Sequence, residues 1–345
     1  MTSSLAYSHP YTVDETVPLV SVIMPAYNTA QYIGQAIESA LQQTIANIEV
    51  IVVDDASIDN TVAIVKGFTD RRVRLFEFAE NQGAAAARNW AFQEAKGQWV
   101  AVLDSDDWYA PNRLEKMLCV AQQSEADMVA DDIWFIEDGS LTPWTTLVKE
   151  SGQEVLAPQV VTDLAYLKND IHGRQGLHFG LSKPLINRGF LIEHSIFYKP
   201  EVRLGQDFFL YLECLIRGAK FVFQPTPYYY YRARAGSLFT KSQLERLTQA
   251  CQAIKVWIDK DEIKANPPLR RALAGNLSAY QQSLAYYSVV EPLKQKPIDP
   301  VAIVSALVQN PYFFVRIAQR LPQIVGLRLK RIFDRGEATT GRRTA

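Results

Sequence analysis

The stretch Val100-Ala101-Val102-Leu103-Asp104-Ser105-Asp106-Asp107 limits the folds open to this chain more than any other. Four apolar residues run straight into three carboxylates within four positions. The apolar run is too short for a helix and rich enough in Val for a fully buried strand. A buried parallel strand that ends this way presents its carboxylates at the C-terminal edge of the sheet, where open α/β folds bind ligands. Two aspartates at i and i+2 across such a turn suit a hard divalent cation whose other ligands are phosphate oxygens. The same spacing recurs at Asp259-Lys260-Asp261, within a charged helical stretch, and there a solvated surface is the expectation. Only the first triplet ends a buried strand, and that context separates the two.

The flanking sequence alternates strand and helix patterns. Leu19–Met24, Ile48–Val53 and Val73–Phe78 read as strands, and Gln31–Gln43 as an amphipathic helix. Asp59 or Asn60 is placed to cap a short helix through Lys66, and an Ala-rich helix over Ala84–Ala95 is expected to end at Gly97. Pro111 introduces a helix over Asn112–Ser124, and Asp127–Ala130 and Ile133–Ile136 read as two further strands. This alternation predicts a doubly wound, Rossmann-like, mostly parallel sheet with helices on both faces. Residues 138–180 read as an irregular excursion, followed by a helix over Phe208–Arg217 and strands over Lys220–Gln224 and Tyr228–Arg234. From Lys241 the pattern is helical, with Trp257, Leu273, Leu277, Tyr280 and Leu284 as expected core and a break at Pro292–Pro300. The expected organisation is a polar lead-in over 1–18, an α/β domain over 19–240 with halves 19–125 and 126–240, and a mainly helical extension over 241–345.

A chain of 345 residues has room for a large core, and its net charge of −1 gives no electrostatic footprint for nucleic acid. Cys119, Cys214 and Cys251 are too scattered for a disulfide framework or a CxxC metal site, which fits a reducing cytoplasm. The polar N-terminus lacks the apolar region of a signal peptide, and no stretch approaches the length of a membrane span, so a cytoplasmic protein is expected. From Phe313 onward eight Lys/Arg face only Asp334 and Glu337, interleaved with Phe314, Ile317, Leu321 and Ile324. Segment 313–343 is therefore either a solvated tail or a peripheral contact on the inner face of a membrane.

Several residues carry chemistry if the sheet forms. Asp54-Asp55 at the end of the second strand are either turn residues or acceptors for a nucleobase and ribose. Asp207, opening a helix after Gly205, is either a helix-dipole partner or a general base. In an extended segment Tyr228, Tyr230, Arg232 and Arg234 share one face, so both guanidiniums reach toward one phosphate. A dehydrogenase would need GxGxxG after the first strand, and a sugar nucleotidyltransferase a Gly-rich phosphate cradle. The chain has Pro25-Ala26-Tyr27-Asn28-Thr29 there. His9, His172, His178 and His194 lack metal-ligand spacing.

The ordered series Val20-Ser21-Val22-Ile23-Met24-Pro25-Ala26-Tyr27-Asn28, Asp54-Asp55-x-Ser57-x-Asp59, Asn81-x-Gly83, Ala86-Ala87-Arg88-Asn89, Gly97 and Leu103-Asp104-Ser105-Asp106-Asp107 resembles bacterial family-2 glycosyltransferases. Lys183-Pro184-Leu185-Ile186, Gly205-Gln206-Asp207 and Tyr231-Arg232-x-Arg234-x-Gly236-Ser237 resemble the acceptor half of exopolysaccharide-type members. The resemblance implies a GT-A fold, a nucleotide-sugar donor with a preference for uridine, Mg²⁺ or Mn²⁺, and inversion at the anomeric carbon. It also implies a glycan or lipid-linked saccharide as acceptor. By the same resemblance Pro25, Tyr27, Asp54 and Asp55 surround base and ribose, and Asn81, Gly83 and Arg88 line the donor pocket. Ser105, Arg232 and Arg234 complete the donor site, Asp106 and Asp104 serve the metal, and Asp207 is the base. Gln206 stands where the family often has Glu. A non-catalytic protein that kept the fold is the remaining rival.

Overall fold

A computed structural model describes residues 17–202, 205–234, 243–294, 300–310 and 313–314. The chain divides after Ser237 into two units. The first opens with β1 (Val20–Ala26), α1 (Ile33–Leu41), β2 (Ile48–Asp54), α2 (Thr61–Lys66), β3 (Val73–Glu77), α3 (Ala84–Glu94) and β4 (Trp99–Val102). It continues through β5 (Trp108–Tyr109), α4 (Arg113–Ser124), β6 (Met128–Glu137), β7 (Thr145–Thr146), α5 (Leu147–Ser151), β8 (Gln159–Val161) and α6 (Asp163–Asn169). After β9 (Leu185–Asn187), α7 (Arg188–Glu193) and α8 (Gln206–Ile216), it closes on β10 (Phe221–Ala233).

These strands form one sheet in the order β3-β2-β1-β4-β9-β6-β10-β5, with β7 beside β6 and β8 beside β10. β9 lies antiparallel to both β4 and β6, so the six long strands all run one way. Every residue of β1, β2 and β4 is buried, as continuous apolar runs in a sheet covered on both faces require. Their C-terminal ends share one edge, where the acidic turn 104–107 emerges.

Several sequence expectations need correction. Asp131 and Asp132 were expected to separate two strands, but both lie buried inside the single strand β6. Asp131 pairs with the fully buried Arg113 at 2.7 Å, and Asp132 accepts the backbone N–H of Ile133 at 2.8 Å and of Val148 at 2.9 Å. With their charges answered, the carboxylates do not interrupt the ladder. The two expected strands around Pro225 and Pro227 are likewise one strand, β10, whose register shifts absorb Pro227. Segment 138–180 is more regular than its composition suggests and holds β7, α5, β8 and α6.

Gly97 does not cap α3, which ends at Ala95 in extended geometry. Its small size serves a close approach instead, since a Cβ there would stand 2.6 Å from the backbone nitrogen of Ser21. Pro111 precedes rather than starts α4, and Asn112 occupies the cap.

The second unit comprises α9 (Gln243–Ile258), α10 (Asp261–Lys264), α11 (Pro267–Lys294) and α12 (Pro300–Gln309). Trp257 and Leu273 are core, but Leu277, Tyr280 and Leu284 are only half-buried, because α11 turns Asn276, Ala279 and Ser283 inward. α11 runs through Pro292 to Lys294, into the start of the expected break, and α12 begins at Pro300 at its end. No described helix is long and apolar enough to cross a membrane. Most of segment 313–343 lies outside the described residues.

Candidate active site

The centre of the site is a lysine. Lys183 precedes β9, is 6% exposed, and its Nζ lies 2.6 Å from Asp207 Oδ2 and 3.1 Å from Asp104 Oδ2. It bridges the strand-end carboxylate to the first turn of α8. Arg88, buried on α3, answers from the other side: Nη2 donates to Asp104 Oδ1 at 2.7 Å and Nη1 to Gln206 Oε1 at 3.2 Å, and Nη1 stands 3.7 Å from Asp207 Oδ1. The Tyr198 hydroxyl donates to Asp207 Oδ1 at 2.9 Å, and Asn89 holds Tyr198 in place through both of its backbone polar groups. Two buried cations thus face two partly exposed carboxylates.

Burial pushes the Asp104 carboxyl up, but Lys183 and then Arg88 outweigh it and hold the group well below the usual carboxylate range. Burial alone would lower Lys183, yet Asp104 and Asp207 raise it above an ordinary lysine. Burial and Asp207 together raise the Tyr198 phenol, so it stays a donor.

The rest of the acidic turn is organised by β10. Asp107 accepts the Tyr229 hydroxyl at 2.7 Å and the backbone N–H of Arg232 at 2.8 Å. Burial raises its carboxyl, with Asp106 and Asp104 adding repulsion. Asp106 is more open than Asp107, and its Oδ2 accepts Arg234 Nε at 2.6 Å. Arg232 donates to the Asp106 carbonyl at 2.9 Å, and both guanidiniums lie over the Tyr32 ring, at 5.0 and 5.2 Å. Tyr230 stacks on Trp108 at 5.0 Å, with Arg232 on that same indole at 4.6 Å. Of the side chains that strand alternation assigns to one face of β10, Tyr230, Arg232 and Arg234 therefore meet around Trp108 and Tyr32.

At the end of β2, Asp54 is buried and accepts Ser57 N–H with Oδ2 at 2.9 Å, while its Oδ1 has no partner among the described residues. Asp55 accepts the backbone N–H groups of Gln82 at 2.7 Å and Gly83 at 2.9 Å, anchoring the entry to α3. Asn81 reaches back to the Asp55 carbonyl at 3.2 Å. Gly83 has φ of +93°, a conformation that favours glycine. Pro25 is buried at the end of β1, and Tyr27 is exposed just beyond it. Ser105 is buried within the acidic turn.

Comparison with known proteins decides the family. The family model for glycosyl transferase family 2 matches residues 21–190. The succinoglycan biosynthesis protein ExoO of Rhizobium meliloti (strain 1021) is 30% identical over 292 residues, which span 84% of this chain and 81% of its own. The chain belongs to glycosyl transferase family 2. The Escherichia coli UDP-Glc:alpha-D-GlcNAc-diphosphoundecaprenol beta-1,3-glucosyltransferase WfgD is 37% identical over 151 residues, 44% of this chain and 56% of its own. The crystal structure of S. aureus TarS 1–349 in complex with UDP-GlcNAc superposes with a TM-score of 0.58 at 20% identity, covering 84% of this chain and 79% of that one. The architecture is GT-A.

As a family-2 glycosyltransferase the chain is an enzyme, which removes the nucleotidyltransferase and dehydrogenase readings. Of the side chains singled out from the sequence, Arg88, Asp104 and Asp207 converge on one point, and Asp106, Arg232 and Arg234 on a second two residues along the turn. Asp54, Asp55, Asn81 and Gly83 form a third group at the ends of β2 and α3. Sequence reasoning assigned no role to Lys183 or Tyr198. Lys183 was visible only as the first residue of the Lys183-Pro184-Leu185-Ile186 motif, and Tyr198 carries no spacing signal at all.

Proposed function

We propose that the protein transfers a sugar, with inversion, from a nucleotide diphosphate donor to a hydroxyl of a glycan or lipid-linked saccharide. Uridine diphosphate is the favoured leaving group, since the E. coli relative is named for UDP-Glc and TarS was crystallised with UDP-GlcNAc. The observation that carries the proposal is the Lys183 bridge, which joins the strand-end Asp104 and the helix-end Asp207 in one centre. A leaving group at the acidic turn and a proton acceptor at Asp207 then serve the same anomeric carbon.

Asp207 takes the proton of the acceptor hydroxyl, which attacks from the face opposite the departing diphosphate. A carboxylate has about four lone-pair sites. Lys183 and Tyr198 occupy one on each oxygen, which fixes the orientation of Asp207 and leaves room for the substrate proton. The unpartnered Asp54 Oδ1 fits an N–H of the base. Arg234 and Arg232 meet the negative charge of the pyrophosphate.

The donor set also fits a divalent cation. Among the described residues no three acidic, His or Cys side chains form a cage. Mg²⁺ asks for less, one or two carboxylates plus substrate phosphates. Asp106 carries a single ion-pair partner, Arg234, whereas Asp104 is already engaged by two cations. Bound there, Mg²⁺ or Mn²⁺ would supply Lewis-acid stabilisation of charge on the leaving phosphate.

Asp207→Asn tests the reading. Transfer should fall roughly 10²–10⁴-fold, while calorimetric binding of UDP with Mn²⁺ stays within about twofold of wild type. Near-normal transfer by the purified variant would remove Asp207 from the chemistry.

A further inference from the structure

The acceptor half of the sheet carries aromatic side chains that the transfer chemistry leaves unused. Tyr231 stands two positions beyond Tyr229 on β10, so both rings leave the same face, about 7 Å apart along the strand. Tyr229 is the residue that holds Asp107, so this face starts at the acidic turn. Across the sheet Tyr231 is in register with Phe135 of β6, and Phe135 with Thr145 of β7. Trp144, just before β7, donates its backbone N–H to the Phe135 carbonyl at 3.0 Å.

The rings follow the same path. Tyr231 meets Phe135 edge-on with centroids 5.6 Å apart, and Phe135 stacks on Trp144 at 6.0 Å and 26°. Exposure rises outward: Tyr231 and Phe135 are half-buried, and Trp144 is 52% exposed. Burial first, and then the Asp107 carboxylate, raise the Tyr231 phenol above an ordinary tyrosine. Among the described residues nothing hydrogen-bonds that hydroxyl.

An aromatic strip that begins at a glycosyl-transfer centre and opens to solvent suits a sugar. Aromatic side chains are rigid, and they offer an apolar face with a polar handle. A pyranose has a matching C–H face and a rim of hydroxyls. Of the charges beside the strip, Asp138 is paired with Arg232 at 3.4 Å and Glu137 is exposed, so no excess of positive charge is offered to an anionic lipid surface.

We propose that Tyr231, Phe135 and Trp144 form the acceptor subsite, with a pyranose of the acceptor glycan stacked on Trp144 and the reacting sugar beside Tyr231. This inference rests on the transfer function proposed above. The acceptor is then a saccharide of at least two rings.

The test uses the full-length chain on an array of pyranose oligosaccharides with saturating UDP, together with UDP release from a panel of UDP-sugars. Wild type should bind a subset of the array, and Trp144→Ala should weaken that binding by about tenfold. Trp90→Ala, at an exposed indole on α3 packed against Phe76 and Phe78, should leave it unchanged. UDP release into water should stay within about twofold of wild type in both variants, because the ring contact and backbone hydrogen bond of Trp144 both go to Phe135 and not to a donor group. Normal hydrolysis with an unchanged array pattern in Trp144→Ala, or no glycan bound by wild type, overturns the subsite and leaves the transfer reading standing. Wild type that releases no UDP from any donor overturns the transfer reading and the subsite with it. A Trp144→Ala defect seen in sedimentation with phosphatidylglycerol vesicles, and not on the array, makes the strip a membrane contact and also overturns the subsite.

Discussion

Lys183 holds apart two carboxylates that repel each other and must nevertheless stay close. Removing one member of a buried, hydrogen-bonded charge cluster costs about 3–5 kcal/mol, because the remaining charges are stranded. Lys183→Met leaves Asp104 and Asp207 with Arg88 as their shared cation, so a loss of that order is expected in urea unfolding. Adding Asp104→Asn should recover part of it, since one of the stranded charges goes. Additive losses in that double-mutant cycle would show that Lys183 and Asp104 do not interact energetically. Asp104 and Asp207 were legible in the sequence because each sits at the end of an element with a clear pattern. Lys183 was not, because its role depends on β9 being inserted antiparallel between β4 and β6, a pairing that local periodicity does not encode.

At the scale of elements, the sheet is pinned at the edge opposite the site. Ser21 Oγ accepts Gly97 N–H at 2.8 Å and donates to Glu49 Oε1 at 2.7 Å. Glu49 also takes the Lys96 N–H at 2.8 Å and Arg74 at 2.8 Å. The network ties the starts of β1 and β2 to the approach to β4, and it requires the chain to pass Ser21 without a side chain at position 97. Gly97→Ala should destabilise the protein by about 1–3 kcal/mol, the usual cost of overpacking. Being at the far edge, it should leave UDP-sugar hydrolysis per folded molecule unchanged; an unshifted thermal midpoint would contradict the packing argument. The parallel strands β1, β2 and β4 were legible as uniform apolar runs. Where polar residues are buried with partners the reading failed. Asp131 and Asp132 resembled a loop because Arg113 and the Val148 amide lie far away in sequence. α11 was set out of phase because Asn276 and Ser283 occupy its inner face.

At the scale of the whole molecule, every residue assigned to donor, base or acceptor lies in the unit that ends at Ser237. The remaining chain contributes helices and the basic, apolar-interleaved sequence from Phe313 onward. Each Lys or Arg near an anionic membrane surface adds about 1 kcal/mol of attraction, and salt screens it. A lipid-linked acceptor would give that attraction a use, because it confines the search for substrate to a surface. The expected separation is that a chain ended after Ser237 keeps UDP-sugar hydrolysis within about threefold, since no donor-binding group is removed. The same chain should lose the salt-sensitive sedimentation with phosphatidylglycerol vesicles expected of the full-length protein. Equal vesicle binding by the two would remove the tail from the membrane reading. Hydrolysis that collapses in a truncated chain that still unfolds in one cooperative transition would mean that the second unit contributes to the donor centre.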